Sequence, residues 1–227
     1  IEQLPIVPGS PARPVPGYDV QVLDADGNQA EPGVIGALVI KLPLPPGTFT
    51  TLWHAEDRFV KAYFSRYPGY YETGDAGYID DNGYVFVMAR TDDVINVAGH
   101  RLSTGAMEEV LADHPDVAEC AVIGIADAMK GQLPLGLLVL NSGISRPREE
   151  IVAEAVQLVR DRIGPVAAFK LCAVVERLPK TRSGKILRGT MRNIADGESW
   201  KMPATIDDPA IIDEVSLALK QLGLPAS

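Results

Sequence analysis

The residues best suited to chemistry lie in one basic segment. Residues 177–192, RLPKTRSGKILRGTMR, carry six cations and no acid, although the whole chain has a net charge of −9. A flexible Gly and Ser turn next to Lys185 can bring the lysine ammonium close to a phosphate or carboxylate and offset developing negative charge. Charge alone leaves a second interpretation open, a solvated basic loop that binds nothing.

A carboxylate in YETGD, residues 71–75, is a second candidate. Asp75 follows a Gly, in a place where a short side chain can project from a turn. Such a carboxylate can accept hydrogen bonds from two ribose hydroxyls. It can equally cap the turn, and the local sequence does not decide between the two roles.

A third candidate segment, ARTDDVINVAGHRLSTG at residues 89–105, combines both signs of charge with small residues. Arg90 and Arg101 lie near two aspartates, and Ala98 and Gly99 form a small pair that a ligand can approach closely. Ion pairing at the surface is the alternative interpretation of these charges.

Common catalytic signatures are missing from the sequence. The Gly-Lys step at Lys185 is followed by Ile, so there is no G-x-x-x-x-G-K-[ST] loop, and G-x-G-x-x-G, G-x-S-x-G and H-E-x-x-H are also missing. The histidines lack the spacing of metal ligands, and the cysteines stand far apart in apolar stretches typical of buried free thiols on strands. These residues, interpreted as structural, are His54, His100, His114, Cys120 and Cys172.

Composition argues against two classes of partner. The chain has 21 Lys and Arg against 30 Asp and Glu, the opposite of a nucleic-acid binder. No apolar run reaches the roughly 18 residues that a membrane helix needs. The opening, which begins with Ile as a fragment would, has no basic start or apolar core of a signal peptide. We therefore expect a cytoplasmic protein that binds neither nucleic acid nor membrane.

The elements that would position these residues change character along the chain. The first ninety residues hold two proline-rich runs and three strand-like stretches, YDVQVLD, VIGALVIKL and GYIDDNGYVFVMAR, the last with a hairpin turn at DNG. Beyond them, helical spacing predicts helices over 103–114, over 148–163 and from Asp208 onwards, and ECAVIGI, PLGLLVL and LCAVVE predict buried strands. The expected class is α+β, with a β-rich subdomain at 1–91 and a small α+β domain at 92–227.

Taken in order, these segments resemble the C-terminal part of the adenylate-forming acyl-CoA synthetases, in the short-chain acetyl-CoA and propionyl-CoA synthetase branch. The resemblance covers almost the whole chain, through PGTFTTLWHAEDRFVKAYFSRYPGYYETGD, RTDDVINVAGHRL, IGPVAAF and LPKTRSGKILR. The ending TIDDPAIIDEV is more similar to the propionyl-CoA type. The resemblance implies the β-rich end of a large adenylating domain followed by a mobile domain. It also implies a reaction in which a carboxylate and ATP form acyl-AMP and pyrophosphate, before CoA displaces AMP.

The same resemblance implies roles for individual residues. Lys185 would be catalytic in adenylation, and Asp92 would be the hinge of the mobile domain. ATP would be bound by Asp75, Arg90 and Arg101, CoA by Ala98, Gly99 and Arg160, and a metal ion by His114 with the backbone oxygens of Ala112 and Val117. The implied cofactors are ATP, CoA and Mg²⁺, and the implied acid is a short carboxylate, propionate or a similar one.

A complete enzyme of this family also has a phosphate loop, an acyl pocket and an adenine-binding segment, and all three lie upstream of the first residue here. We therefore expect a fragment that is inactive alone and whose partner is the missing N-terminal portion. The alternative is a non-catalytic module that binds CoA or AMP, or that docks on a synthetase and regulates it.

Overall fold

The computed structural model describes residues 3–225, and the chain divides into two units after Asp92. Each unit contains its own β-sheet, and helices occur in both. This architecture confirms the expected α+β class. Within the described residues, the helices are all too short or too polar to cross a bilayer.

The first unit is a four-stranded antiparallel sheet whose strands pair in chain order. Its elements are β1 (Val20–Leu23), β2 (Gly36–Lys41), α1 (Glu56–Tyr63), β3 (Tyr70–Ile79) and β4 (Val85–Arg90). The predicted hairpin joins β3 to β4, because Asp80 Oδ1 accepts the backbone N–H groups of Asn82 at 2.9 Å and Tyr84 at 2.8 Å. The sequence did not predict α1 or the first half of β3.

Aromatic side chains hold α1 against the sheet. Phe59, the buried residue of the helix, packs edge-on against Phe49 and Phe64. Tyr63, at the end of α1, stacks on Tyr71 of β3 with ring centroids 5.3 Å apart. The edge-on and stacked geometries are those that aromatic quadrupoles favour. The cluster fixes the start of β3, the strand that leads to Asp75.

The second unit is a five-stranded sheet with helices. Its elements are β5 (Val94–Val97), β6 (His100–Ser103), α2 (Thr104–Ala112), β7 (Val117–Asp127), β8 (Gly131–Leu140), α3 (Arg148–Arg162), β9 (Leu171–Val174), α4 (Arg188–Ala195) and α5 (Ile211–Gln221). The strands lie in the order β6-β5-β8-β7, with β9 parallel to β8. The predictions of α2, α3, α5 and the three apolar strands are confirmed, whereas β5, β6 and α4 were not predicted.

Ser103 caps a predicted helix, whereas Asp208, the expected N-cap of α5, lies before the N-cap that the structure has, Ala210. Ser103 Oγ accepts the backbone N–H of Ala106 at 3.4 Å and caps α2. Asp208 Oδ1 accepts the N–H of Ala210 at 3.0 Å, in the turn that leads into α5. Side chains of this kind satisfy N–H groups that have no partner within the helix.

The sheet of the second unit separates two apolar cores. Successive residues of a strand point to opposite faces. Val122 of β7 and Leu138 of β8 belong to the core that includes α2 and α3. Ile123 and Leu137, their neighbours, belong to the core that includes α4 and α5. Each face of the sheet is therefore covered by its own pair of helices.

Two carboxylates accept outward N–H groups of β7, a strand at one edge of this sheet. Within residues 3–225, β7 pairs with β8 alone. The backbone N–H of Val122 donates to Glu108 Oε1 at 2.8 Å, and that of Ala126 donates to Asp196 Oδ1 at 2.8 Å. Because Asp196 is the C-cap of α4, this helix is tied to the edge strand.

Candidate functional site

In the first unit, Asp75 and Arg90 form an ion pair across neighbouring strands. The β3–β4 register places the two residues opposite each other. Arg90 Nη1 donates to Asp75 Oδ1 at 2.9 Å, and the same nitrogen lies 3.3 Å from the backbone oxygen of Thr73. The side chains are 55% and 33% exposed for Arg90 and Asp75, respectively. Because the pair uses Oδ1, the second oxygen of the carboxylate can accept a ligand hydroxyl.

A β-bulge in β3 presents this pair. The β2–β3 register pairs Leu38 with Asp75 but the next residue of β2 with Glu72, so Thr73 and Gly74 are the extra residues. Gly74 has φ +77°, and a Cβ there would overlap the guanidinium of Arg90. The sequence predicted Asp75 on a turn, and this prediction was wrong in detail. Asp75 lies within a strand, directly after the bulge.

Lys185 lies on a tight hairpin in the second unit. Lys180 and Ile186 form a β-bridge, Thr181 N–H donates to the Lys185 oxygen at 2.8 Å, and Gly184 N–H donates to the Thr181 oxygen at 2.8 Å. Lys185 N–H donates to Thr181 Oγ1 at 3.1 Å. The expected flexible turn is therefore a hydrogen-bonded one, and the freedom lies in the lysine side chain.

The ammonium of Lys185 is exposed, and within the described part of the chain no carboxylate pairs with it. Three other cations of the basic segment do have acidic partners. These pairs are Arg177 with Asp208 and Glu214, Lys180 with Glu119, and Arg188 with Glu108. The hydrogen bonds that Arg177 donates to Glu214 and Asp208 hold the pKa of its guanidinium above the ordinary value. The basic segment is thus not a uniformly solvated loop.

The β5–β6 connection is a two-residue turn of Ala98 and Gly99. Both residues have positive φ, +50° and +89°, as a type I′ hairpin turn requires. Gly99 N–H donates to Asn96 Oδ1 at 3.1 Å, and Ala98 N–H donates to the Lys130 backbone oxygen at 2.8 Å. Arg101 lies on β6, opposite Asn96. The turn is therefore fixed against the start of β8.

Beside α3 there is an open cleft of about 320 Å³ that is lined by three cations, Lys130, Arg160 and Lys170. Lys130 is also the residue that binds Ala98 through its backbone. Two of the candidate CoA-binding positions, Ala98 and Arg160, thus both lie next to Lys130. Lys130 and Lys170 were not predicted as site residues, because each is a single lysine among mostly apolar neighbours in the sequence and belongs to no motif.

The candidate metal residues Ala112, His114 and Val117 lie where α2 ends and β7 begins. His114 is only 5% exposed, and both of its ring nitrogens have partners. Nδ1 accepts the backbone N–H of Asp116 at 3.2 Å, and Nε2 lies 3.1 Å from Glu154 Oε2. The imidazole therefore does not fit a metal ligand in this arrangement.

A guanidinium already supplies positive charge at this cluster. His114, Asp116 and Glu154 come close enough together to hold an ion. Arg146, however, donates to Asp116 Oδ2 at 2.8 Å and also to Glu154. The hydrogen bond from Arg146 is the main reason that the pKa of Glu154 lies below its ordinary value. These side chains form a satisfied ionic network.

Comparison with known proteins identifies the kind of domain in the second unit. Residues 106–185 match the family of the AMP-binding enzyme C-terminal domain. Residues 106–185 therefore form an AMP-binding enzyme C-terminal domain. An uncharacterised protein of Pseudomonas aeruginosa is 57% identical over 212 residues, which are 93% of this chain and 34% of the relative. The mitochondrial acyl-CoA synthetase short-chain family member 3 of Homo sapiens is 49% identical over 214 residues, 94% of this chain and 31% of the relative.

Solved structures agree with this assignment of the adenylate-forming fold. Acetoacetyl-CoA synthetase from Streptomyces lividans superposes with a TM-score of 0.78 over 94% of this chain and 32% of that chain, at 22% identity. ATP-bound MatB from Rhodopseudomonas palustris gives a TM-score of 0.63 at 25% identity, over 82% of this chain and 36% of that one. This chain spans about a third of the length of the curated relatives that it matches.

The predicted site residues are distributed over both units. Arg160 and Lys185 lie within the matched domain, and Asp75 and Arg90 lie in the first unit. Asp92 is in the short 3₁₀ turn Thr91–Asp93 that follows β4, where the two units meet in the chain. Its role as a hinge stays a prediction.

Proposed function

We propose that this chain is the C-terminal part of an ATP-dependent short-chain acyl-CoA synthetase. The proposed reaction joins a carboxylate to CoA through acyl-AMP and releases pyrophosphate and AMP. The observation that carries the proposal is that Lys185 and the cleft of Arg160 belong to opposite faces of one sheet.

The assignment to faces follows from the two cores. The hairpin of Lys185 packs through Leu178 and Ile186 on the core that contains α4 and α5. Arg160 lies on α3. The residue before it, Val159, is buried in the other core. One orientation of the domain cannot present both faces to one reaction centre. We infer that the second unit turns between two steps, with Asp92 as the pivot.

In the first step, a carboxylate oxygen of the acid attacks the α-phosphorus of ATP, and pyrophosphate leaves. Negative charge develops on the phosphoryl oxygens, and the Lys185 ammonium stabilises it. Asp75 accepts the ribose hydroxyls, Arg90 holds the Asp75 carboxylate in place, and Arg101 lies near the phosphates. Mg²⁺ would accompany the ATP phosphates. His114 and the ionic network around it take no part in this step.

In the second step, the CoA sulfur attacks the acyl carbon of acyl-AMP, and AMP leaves. Lys130, Arg160 and Lys170 would bind the phosphate groups of the CoA nucleotide, since clustered cations attract phosphate. The hairpin turn of Ala98 and Gly99 would lie along the pantetheine arm, where side chains larger than these would obstruct it. The rigid contact of Ala98 with Lys130 connects these two parts of the proposed CoA site.

The acid proposed is propionate or a similar short carboxylate, on the basis of the ending TIDDPAIIDEV. A panel of acids from acetate to butyrate, assayed with the full-length protein by pyrophosphate release, tests this choice. The compartment proposed is the cytoplasm. The human relative is named as mitochondrial, so localisation of a tagged full-length protein is the direct test.

The decisive experiment separates the half-reactions in the full-length protein. Lys185→Ala should slow acyl-AMP formation by about 10² to 10³, the typical loss for one preorganised charge, and should leave thioester formation from supplied acyl-AMP and CoA intact. Arg160→Ala should impair the second step and spare the first. Arg182→Met, which removes another exposed cation of the same hairpin, is the control. Parallel loss of both steps in Lys185→Ala would contradict the assignment.

The non-catalytic alternative is supported by the cation-lined cleft, which does not need the first unit. A module built for CoA should bind it tightly by itself. As part of an enzyme, this chain supplies only some of the contacts, and each missing 1.4 kcal/mol lowers affinity about tenfold. Calorimetric titration of the 227-residue chain distinguishes the two, because submicromolar binding of CoA or ATP would favour the module.

A further inference from the structure

We propose that Glu108 and Arg188 form a positioning pair that holds the Lys185 hairpin in place for adenylation. This inference rests on the proposed function of Lys185. Neither residue is assigned to the nucleotide or to CoA, and Arg188 acts through the backbone of the segment that carries Lys185.

The geometry of the pair is that of a rigid connection. Arg188 is the first residue of α4 and follows Lys185 by three positions. Its Nη2 donates to both oxygens of Glu108 at 2.8 Å, and its Nε lies 3.2 Å from Oε1. Arginine forms such multiple contacts with a carboxylate because its donors are coplanar, and a lysine cannot reproduce them.

Glu108 connects the pair to the centre of the unit. Its Oε1 also accepts the backbone N–H of Val122 on β7. One carboxylate thus joins α2, β7 and the start of α4. The side chains of Arg188 and Glu108 are 25% and 18% exposed, so water competes with this pair less than with a surface pair.

The two strands of the hairpin are held from different sides. Arg182 N–H donates to the Thr205 oxygen at 2.9 Å, and Asp207 N–H donates to the Lys180 oxygen at 2.9 Å. These bonds fix the strand that precedes the turn. The strand that contains Lys185 pairs with it, and Leu187 N–H donates to the Pro179 oxygen at 2.9 Å. That strand then runs directly into Arg188, so the ion pair is a second anchor of the hairpin, at its other end.

Anchoring matters because a lysine side chain is long and flexible. The ammonium stabilises charge only where it meets the reacting oxygens, and a misplacement of about 1 Å can reduce a rate by about 10²-fold. The hydrogen-bonded turn keeps its own shape without Arg188. The ion pair fixes the end of the hairpin that contains Lys185 relative to α2 and β7.

The kinetic test compares Arg188→Met with Arg148→Met in the full-length protein. Arg148 is the matched control, because it is the first residue of α3 and pairs with Glu176 at 2.6 Å. We expect Arg188→Met to slow acyl-AMP formation by about 10- to 100-fold, with thioester formation from supplied acyl-AMP changed less than about twofold. Arg148→Met should leave both steps unchanged. Equal loss of both steps in Arg188→Met would make the pair structural only and overturn the inference.

A double variant tests whether Arg188 acts through Lys185. If it does, Lys185→Ala with Arg188→Met should form acyl-AMP as slowly as Lys185→Ala alone, since the charge to be positioned is already gone. Additive losses would overturn the inference. Arg188→Lys should recover only part of the rate, because it keeps the charge but loses the multiple contacts.

Hydrogen exchange provides a readout that does not depend on activity. Backbone N–H groups of residues 181–187 should exchange faster in Arg188→Met than in the parent protein, and at the parent rate in Arg148→Met. Unchanged exchange in Arg188→Met would overturn the positioning role. If the parent full-length protein makes no acyl-AMP, the proposed function of Lys185 is refuted, and faster exchange in Arg188→Met would still support the anchor.

Discussion

Each unit contains an arginine–carboxylate pair, and the two pairs differ in burial. Asp75 and Arg90 are 33% and 55% exposed and share one short hydrogen bond. Glu108 and Arg188 are 18% and 25% exposed and share three contacts. Glu108 also accepts the backbone N–H of Val122. The exposed pair keeps a carboxylate oxygen available for a ligand, and the half-buried pair uses its oxygens on the protein. Exposure, rather than residue type, therefore separates the pair proposed to bind a ligand from the pair proposed to position a hairpin.

The largest effect should come from breaking the half-buried pair. Glu108→Ala leaves both Arg188 and the Val122 N–H without their acceptor, and losing one partner of such a pair costs about 2–4 kcal/mol of unfolding free energy. Glu108→Gln should cost less, because the amide oxygen can still accept from Val122. Denaturant unfolding of the chain measures both. A Glu108→Ala cost below about 1 kcal/mol would remove the contrast with the exposed pair.

The exposed pair should behave in the opposite way. Asp75→Ala should change unfolding free energy by less than about 1 kcal/mol, as is usual for surface ion pairs. It should weaken ATP binding to the full-length protein by about 10- to 100-fold, since hydrogen bonds to a charged group are worth about 1.5–3 kcal/mol. Titration with ATP and thermal unfolding together test this. A variant that binds ATP normally but unfolds easily would reverse the comparison.

The bulge beside the exposed pair should show a smaller effect. Gly74→Ala places a side chain at φ +77° and displaces Arg90, at a cost of about 1–2 kcal/mol for the left-handed backbone. ATP affinity should fall as well. Gly69→Ala is the matched control, because Gly69 has φ +88° and a Cβ there would meet no atom within 4 Å. If both variants lose ATP affinity equally, the close approach of Gly74 to Arg90 does not contribute to ATP binding.

The smallest effect concerns a thiol next to the half-buried pair. Burial, and then Glu108, raise the pKa of Cys120 to about 11, and burial raises that of Cys172 to about 12. At pH 8 only about 10⁻³ of Cys120 is thiolate, so alkylation should be slow. Glu108→Ala should speed labelling of Cys120 and leave Cys172 slow. Mass spectrometry of tryptic peptides measures the labelling rate of each cysteine. Rapid labelling of Cys120 in the parent protein would contradict its burial beside Glu108.

Sequence patterns predicted elements better than they predicted partners. The apolar runs and the helical spacing of apolar residues were sufficient for most of the second unit. The start of β3 was missed, because Glu72 and Gly74 are poor strand formers and the bulge breaks the alternation. α4 was missed, because its cations made the segment resemble a solvated loop.

The contacts within the sites depend on sheet register and packing. Asp75 and Arg90 are adjacent only because β3 and β4 pair with a particular register. Arg188 finds Glu108 80 positions earlier in the chain. Lys130 and Lys170 join Arg160 only after β8 and β9 pair in parallel. No local pattern contains this information, so the sequence could offer candidate residues but not their partners.

The side chains that close the edge of β7 also affect how the protein behaves towards other copies of itself. An open strand edge is a template on which a second chain can add a strand, and repeated addition leads to aggregation. Glu108 and Asp196 accept the outward N–H groups of Val122 and Ala126. Lys180 forms an ion pair with Glu119, also on β7, and adds charge to this edge. The carboxylate that anchors the Lys185 hairpin thus also protects the strand edge against intermolecular pairing.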